Sequence, residues 1–403
     1  MIFIYYIFAA LLIFLSYRSY RSGVDYLNYF EQELSTPSSD FMPFVSILAP
    51  YKFADHEMEQ NLKALFDQNY PQYEVVFVVD DETDPAVPLI REVCRIYSRA
   101  AVNSRLVIAP KAVNCGQKVE NLREAVLHIA DDSRILVFVD SDARPSANWL
   151  KALTGPLRDE NVGATSGYRW FISAAPTLAS EMLSAWNASI ASALGRNKKS
   201  NFCWGGSMAI RRTTFDRLDI RERWKGTLSD DFTMTKEIKE AGLGVYFVPA
   251  ALTASVETPT FKGLVEFTNR QMKITRTYAP KLWRLSLFGS GLFSIVMTAS
   301  IFIVAFSKWH STEMWASVAT LILVAAFSIS KSRLRLKAVR MVLEPYENEL
   351  RRQVWAQNTF WLLTPGLFFY NSIVAAFSRC LTWRGITYKL VSPTETRIIR
   401  AGG

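Results

Sequence analysis

Three acidic clusters stand out as groups able to do chemistry: Asp80-Asp81, Asp140-Ser141-Asp142 and Asp230-Asp231. A D-x-D pair such as Asp140 and Asp142 offers hard oxygen ligands. These suit Mg2+ or Mn2+ shared between one or two carboxylates and the phosphates of a substrate. A carboxylate near the reacting carbon could also take the proton from an attacking hydroxyl, whose own pKa is far too high for it to ionise near neutrality. Asp231 suits that task, because Ser229 or Asp230 suffices to cap the helix that follows and one acid is left over. Lys118, in Asn114-Cys115-Gly116-Gln117-Lys118, opens a helix after a strand and a turn, where free amides and an ammonium together attract phosphate. Singly, each feature has a plain explanation: D-x-D recurs by chance, a strand-end aspartate forms turns, and a lysine at a helix start is usually solvated. Acidic pairs ending two successive buried strands are harder to dismiss.

Those strands belong to an alternating pattern. Val45-Ser46-Ile47-Leu48-Ala49 stops at Pro50, Val75-Val76-Phe77-Val78-Val79 ends at Asp80, and Ile135-Leu136-Val137-Phe138-Val139 ends at Asp140. Leu106-Val107-Ile108-Ala109 is a further apolar run. Between them Met58, Leu62, Leu65 and Phe66, then Val119, Leu122, Val126 and Ile129, mark helical faces. The pattern over 44–142 is that of an α/β sheet with parallel strands, which binds ligands at the carboxyl ends of its strands. A helix over 232–241 ends at Gly242 and leads to the strand Val245-Tyr246-Phe247-Val248.

The 403 residues are 50% hydrophobic, and the excess is concentrated. Residues 1–17 are uncharged and read as a retained membrane anchor, followed by Arg18 and Arg21. The uncharged stretches 285–307 and 314–330 form a membrane hairpin, and 353–378 is a further apolar segment interrupted by Thr364-Pro365-Gly366. Basic residues after the anchor and across 331–352 place the middle region in the cytosol. The basic tail beyond 378 then favours a re-entrant 353–378. The expected organisation is an anchor at 1–22, a linker at 23–43, a catalytic domain at 44–260 and an amphipathic interfacial helix at 261–284. A transmembrane hairpin follows at 285–330, a basic cytosolic segment at 331–352, a spanning or re-entrant segment at 353–378 and a basic tail at 379–403. The net charge of +9 is assigned to lipid headgroups rather than to nucleic acid, because no nucleic-acid motif accompanies it. Four scattered cysteines and three isolated histidines indicate neither a disulfide framework nor a zinc site.

Taken in order, these segments resemble a membrane-bound family 2 glycosyltransferase with a GT-A fold, most like the ceramide glucosyltransferase branch. The likeness is carried by the segment from Tyr70 through Asp80-Asp81 to Ala86, by Asn114 to Asn121, and by Asp140-Ser141-Asp142. Cys203-Trp204-Gly205-Gly206-Ser207-Met208, Ser229-Asp230-Asp231 and Trp383-Arg384-Gly385-Ile386-Thr387-Tyr388 complete it. The resemblance implies that Asp81, with Asp80 as alternate, contacts the nucleoside and that Lys118 contacts phosphate. It makes Asp140 and Asp142 the metal and donor site, and it places Trp204, Gly205 and Gly206 in the acceptor and sugar pocket. The catalytic acids are then Asp231 and Asp230.

The chain departs from the family at the Q/R-x-x-R-W motif, for which it has Arg270-Gln271-Met272-Lys273-Ile274. Lysine keeps the charge but not the bidentate fork, and isoleucine cannot stack on a sugar. Gln271 is assigned to the acceptor side, Lys273 and Arg276 to the donor. The expected activity is inverting transfer of a hexose, glucose, from a UDP-sugar to a lipid hydroxyl such as that of ceramide or diacylglycerol, by an integral membrane protein. The alternatives are a processive polysaccharide synthase, disfavoured by the missing tryptophan, and a non-catalytic membrane scaffold.

Overall fold

The computed structural model describes residues 2–37, 39–55, 57–98 and 102–400. Among them the strands are β1 (Val45–Pro50), β2 (Tyr73–Val79), β3 (Val102–Ile108), β4 (Ile135–Phe138), β5 (Val162–Ser166), β6 (Arg169–Ser173), β7 (Met208–Arg211), β8 (Gly244–Phe247), β9 (Thr253–Glu257), β10 (Cys380–Trp383), β11 (Ile386–Ser392) and β12 (Glu395–Arg400). The chain divides into two compact units. One comprises Met1–Glu31, Ile172–Ser192 and Glu257–Ser378, the other Gln32–Phe171, Ala193–Val256 and Arg379–Gly403.

The second unit is built on a seven-stranded sheet in the order β3-β2-β1-β4-β7-β5-β8. β1, β2, β3 and β4 run parallel, as do β5 and β8, while β7 lies antiparallel between β4 and β5. Every residue of β1, β2 and β4 is buried, which is why these strands read as nearly continuous apolar runs rather than alternating ones. Leu48 pairs with both Val76 and Phe138, so β1, β2 and β4 finish along one edge of the sheet. Asp80 and Asp140 follow directly at that edge. Beneath it Leu48, Val76, Phe138, Met208, Trp224 and Met234 share one apolar core, with Phe138 edge-on to Trp224 at 5.6 Å. Each such side chain contributes roughly 1.5–3 kcal/mol by leaving water. The one carboxylate inside β2, Glu74, accepts hydrogen bonds from Ser46 Oγ and Ala130 N, both at 2.6 Å, and from Arg105 at 2.8 Å.

Residues beyond 378, expected as a basic tail, instead form the antiparallel meander β10-β11-β12 of this same unit. Ile386, Tyr388 and Leu390 point inward while Lys389 stays outside, a period of two that the charge count conceals.

The other unit is helical. Ile2–Ser35, Pro280–Phe306 and Thr312–Arg340 are long and apolar enough to cross a membrane. Leu285, Phe288, Ile295 and Phe306 are largely exposed on them, a surface suited to hydrocarbon rather than water. The first helix continues through most of the stretch expected as a linker, because Tyr26, Leu27 and Phe30 extend its buried face. The helix expected to be interfacial ends at Tyr278, and Pro280 opens the next helix, five residues before the apolar stretch was expected to begin. Helix Thr312–Arg340 likewise runs on into the basic segment. The last apolar segment is interrupted at 360–363, just before Thr364-Pro365-Gly366: helices Glu344–Thr359 and Thr364–Phe377 meet there at 75°, and the triplet opens the second helix, whose first turn tolerates the proline's missing N–H. Helix Leu178–Ala191 lies within the span expected for the catalytic domain but belongs to this unit. Its Trp186 stacks on Phe368 at 4.8 Å.

Candidate active site

Three chain segments meet at one largely buried ammonium. Helix Gln117–Ala125 starts after Gly116, whose N–H donates to the Thr227 carbonyl at 2.8 Å. That bond ties the helix start to the approach of Ser229-Asp230-Asp231. Lys118 Nζ lies 2.7 Å from Asp140 Oδ1 beyond β4 and 3.1 Å from Asp230 Oδ1 at the start of helix Asp230–Glu240. Asp231 Oδ1 accepts from Ser229 Oγ and from Phe232 N, while its Oδ2 accepts from Gly205 N at 3.4 Å. Ser229 caps the helix, as its Oγ accepts from Phe232 N.

Gly205 and Gly206 are required by space. A Cβ on Gly205 would sit 2.4 Å from Asp230 Oδ2 and 2.7 Å from Lys118 Nζ. A Cβ on Gly206 would fall 2.2 Å from the Trp204 ring and 2.9 Å from Asp140 Oδ2. Trp204 is buried, and the Arg169 guanidinium lies over its ring at 4.7 Å. Arg169 donates to Asp142 Oδ2 at 2.8 Å and approaches Asp140 Oδ2 at 3.8 Å.

Charge and burial compete here. Burial opposes the Lys118 ammonium, but Asp140, Asp230 and Asp231 outweigh it and hold its pKa above the usual lysine value. Burial also favours neutral Asp140, yet Lys118 and Arg169 keep that carboxyl below its ordinary value. Asp230 goes the other way: burial pushes it up to about 6, Lys118 pulls against this, and Asp231 and Asp140 add to it. A lysine surrounded by three carboxylates leaves excess negative charge, as expected where a cation completes the site.

At the neighbouring strand end Asp80 is buried and pairs with Lys52 at 2.8 Å and Lys111 at 3.3 Å. Asp81 accepts from Thr83 N and from Lys111, both at 2.9 Å, and these bonds hold its carboxyl well below the usual range.

A model described as Glycosyl transferase family 21 matches residues 6–396. The chain belongs to that family. It is 32% identical over 117 residues to the ceramide glucosyltransferase of Candida albicans, a match spanning 27% of this chain and 21% of that protein. It is 28% identical over 233 residues to the probable glycosyltransferase YdaM of Bacillus subtilis, spanning 55% of this chain and 52% of that one. The chain thus spans about a fifth and about half of the lengths of these two relatives. Among solved structures, the mannosyltransferase PcManGT of Pyrobaculum calidifontis, in complex with GDP-Man and Mn2+, superposes with a TM-score of 0.52 at 18% identity, covering 92% of this chain and 98% of that one. The shared fold is the mostly parallel GT-A α/β architecture expected from the sequence.

In this family 21 chain the residues singled out from sequence fall in both units. Asp80, Asp81, Lys118, Asp140, Asp142, Trp204, Gly205, Gly206, Asp230 and Asp231 belong to the unit of the large sheet. Gln271, Lys273 and Arg276 lie on helix Phe261–Tyr278 of the apolar unit. There Arg276 donates to the Ala375 carbonyl and lies over the Trp283 ring at 5.3 Å, and Ile274 is buried.

Four contributors were not assigned a role from sequence. Arg169 and Lys111 lie in no recognisable spacing. Arg384 and Tyr388 belong to the Trp-Arg-Gly-Ile-Thr-Tyr landmark, which offered a likeness without a task. Arg384 grips Asp55 through two bonds of 2.6 Å from a left-handed backbone (φ 48°), and Gly385 follows at φ 80°. The buried Tyr388 hydroxyl accepts from Gln117 N at 3.2 Å, supplying a partner to the uncapped start of the Lys118 helix.

The site also bears on a divalent cation. No group of three carboxylate, thiol or imidazole side chains with metal-binding geometry exists among the described residues. Asp142 Oδ1 and Asp230 Oδ2 are nevertheless buried without a hydrogen-bond partner among them, and such oxygens are costly unless something positive reaches them. One or two carboxylates with the remaining shell left to phosphate and water is the usual arrangement for Mg2+, so the residues present fit the group.

Proposed function

We propose that this family 21 chain is a metal-dependent inverting glycosyltransferase that moves a hexose, glucose, from a UDP-sugar to the hydroxyl of a membrane lipid such as ceramide or diacylglycerol. The observation carrying this reading is the gathering of Asp140, Asp230 and Asp231 around Lys118. Asp231 is the general base. The acceptor oxygen attacks the anomeric carbon, its proton passes to the Asp231 carboxylate, and the bond from that carbon to the β-phosphate oxygen breaks on the opposite face, releasing UDP with inversion. Lys118 holds the diphosphate. Mg2+ or Mn2+ held by Asp140 and Asp142 would screen the charge left on the departing diphosphate. Asp81, with Asp80 beside it, holds the nucleoside. Asp230 keeps Lys118 in place, and Trp204, Gly205 and Gly206 shape the sugar pocket. The catalytic unit works on the cytosolic side, where the basic segments flanking the apolar helices retain it.

Membranes carrying the protein are incubated with radiolabelled UDP-glucose, and the extracted lipids are resolved. Label in a glycolipid, and about 100-fold or more less label with Asp231→Asn, is the expected result. Label in a polymer would favour the processive reading. An Asp231→Asn protein of unchanged activity would remove the assigned base.

A further inference from the structure

The uncharged part of helix Thr312–Arg340 ends at Ser330, and the helix continues with Lys331, Arg333, Arg335, Lys337 and Arg340. At 1.5 Å per residue, Arg333 to Arg340 lie roughly 5–15 Å beyond the last residue of the apolar stretch, within the headgroup layer of a bilayer. Arg333, Lys337 and Arg340 are spaced i, i+4 and i+7 and therefore share a helix face. With Leu336, and with Val354 and Asn358 from helix Glu347–Thr359, they line a cavity of about 280 Å³.

The cavity has two chemical characters. Its upper wall is cationic beyond what the neighbouring acids neutralise. Lys337 pairs with Glu31 at 3.1 Å, both largely solvated, while Glu347 is divided between Arg340 and Arg351. Arg333 is exposed. Its remaining wall carries the apolar side chains of Leu336 and Val354, and the buried Asn358 Oδ1 has no hydrogen-bond partner among the described residues. Cations on one side, hydrocarbon on the other, at headgroup depth, match a molecule that is anionic at one end and apolar at the next.

We infer that this cavity is a binding site for the phosphodiester headgroup of an anionic phospholipid, such as phosphatidylglycerol, with Arg333 and Lys337 as its charge contacts. The phosphate oxygens accept from the two side chains. The lipid is a resident ligand distinct from the acceptor, since a ceramide or diacylglycerol hydroxyl carries no charge for these residues to read. The site is independent of the transferase reading, because it needs only the helical unit and a bilayer.

The full-length protein is reconstituted in nanodiscs of phosphatidylcholine with or without phosphatidylglycerol, and bound lipid is counted by native mass spectrometry after release into detergent. Wild type should retain phosphatidylglycerol in preference to phosphatidylcholine. Arg333→Gln with Lys337→Gln should weaken that retention about 25-fold, two contacts each contributing roughly a fivefold preference. Arg333→Lys with Lys337→Arg keeps both charges and should retain the lipid, which separates charge recognition from loss of fold. Retention by the double Gln variant equal to wild type would overturn the site. So would displacement of the lipid by millimolar inorganic phosphate at constant ionic strength, which would mark a free-anion site instead.

Discussion

Gly205 has no room for a side chain, since its missing Cβ would press on both the Asp230 carboxylate and the Lys118 ammonium. Gly205→Ala should therefore separate that pair, cost about 1–3 kcal/mol of overpacking and lower transfer at least about tenfold. Parallel melting and activity measurements on purified protein would show it. Asp230 itself predicts a pH effect on stability. Its folded value near 6 exceeds the ordinary aspartate value of 3.8, so the folded chain holds a proton there that the unfolded chain has already released. The associated stability is fully present below about pH 4 and is lost as pH rises through 6. Asp230→Asn should flatten that part of a plot of melting temperature against pH, and a curve identical to wild type would contradict it. The acidic groups were legible in sequence because each follows a buried strand or opens a helix. Arg169 was not, because its position beside Asp142 depends on where β6 passes, which no local spacing records.

At the scale of elements, the meander β10-β11-β12 lends its Tyr388 hydroxyl to the first amide of the Lys118 helix. Tyr388→Phe removes only that oxygen. Loss of one such acceptor costs about 1 kcal/mol, so the donor KM should rise about fivefold with kcat nearly unchanged. Kinetics with varied UDP-sugar would reveal the split, and a change in kcat alone would argue against a positioning role. The parallel strands could be read from their apolar runs, and the interrupted last segment from its Pro-Gly pair. The antiparallel insertion of β7 and the meander could not. Pairing partners far apart in the chain leave no periodic trace, and five basic side chains disguised an alternating strand pattern as a tail.

At the scale of the molecule, sequence showed that apolar helices flank an α/β sheet but drew their limits by charge. Helices end where packing and capping end, so Tyr26 and Phe30 carried the first helix past Arg21, and Pro280 began another before the charge-free stretch. Ile295 is largely exposed midway along helix Pro280–Phe306. Ile295→Arg should cost about 3 kcal/mol for insertion and lower the fraction of protein that resists alkaline extraction from membranes. An unchanged fraction would mean that this face does not meet lipid.

The unit that holds the carboxylates is assembled from chain segments on both sides of the apolar helices. During synthesis the Gln117 amide emerges long before Tyr388, with every candidate span except the first, Ile2–Ser35, translated between them. Maturation of the sheet-based unit must therefore wait until the later apolar helices have been made, and a nascent chain stalled after residue 378 would hold the Lys118 helix without the hydroxyl that fastens it. The order of translation itself leaves the start of the Lys118 helix as one of the last features of the unit to be completed.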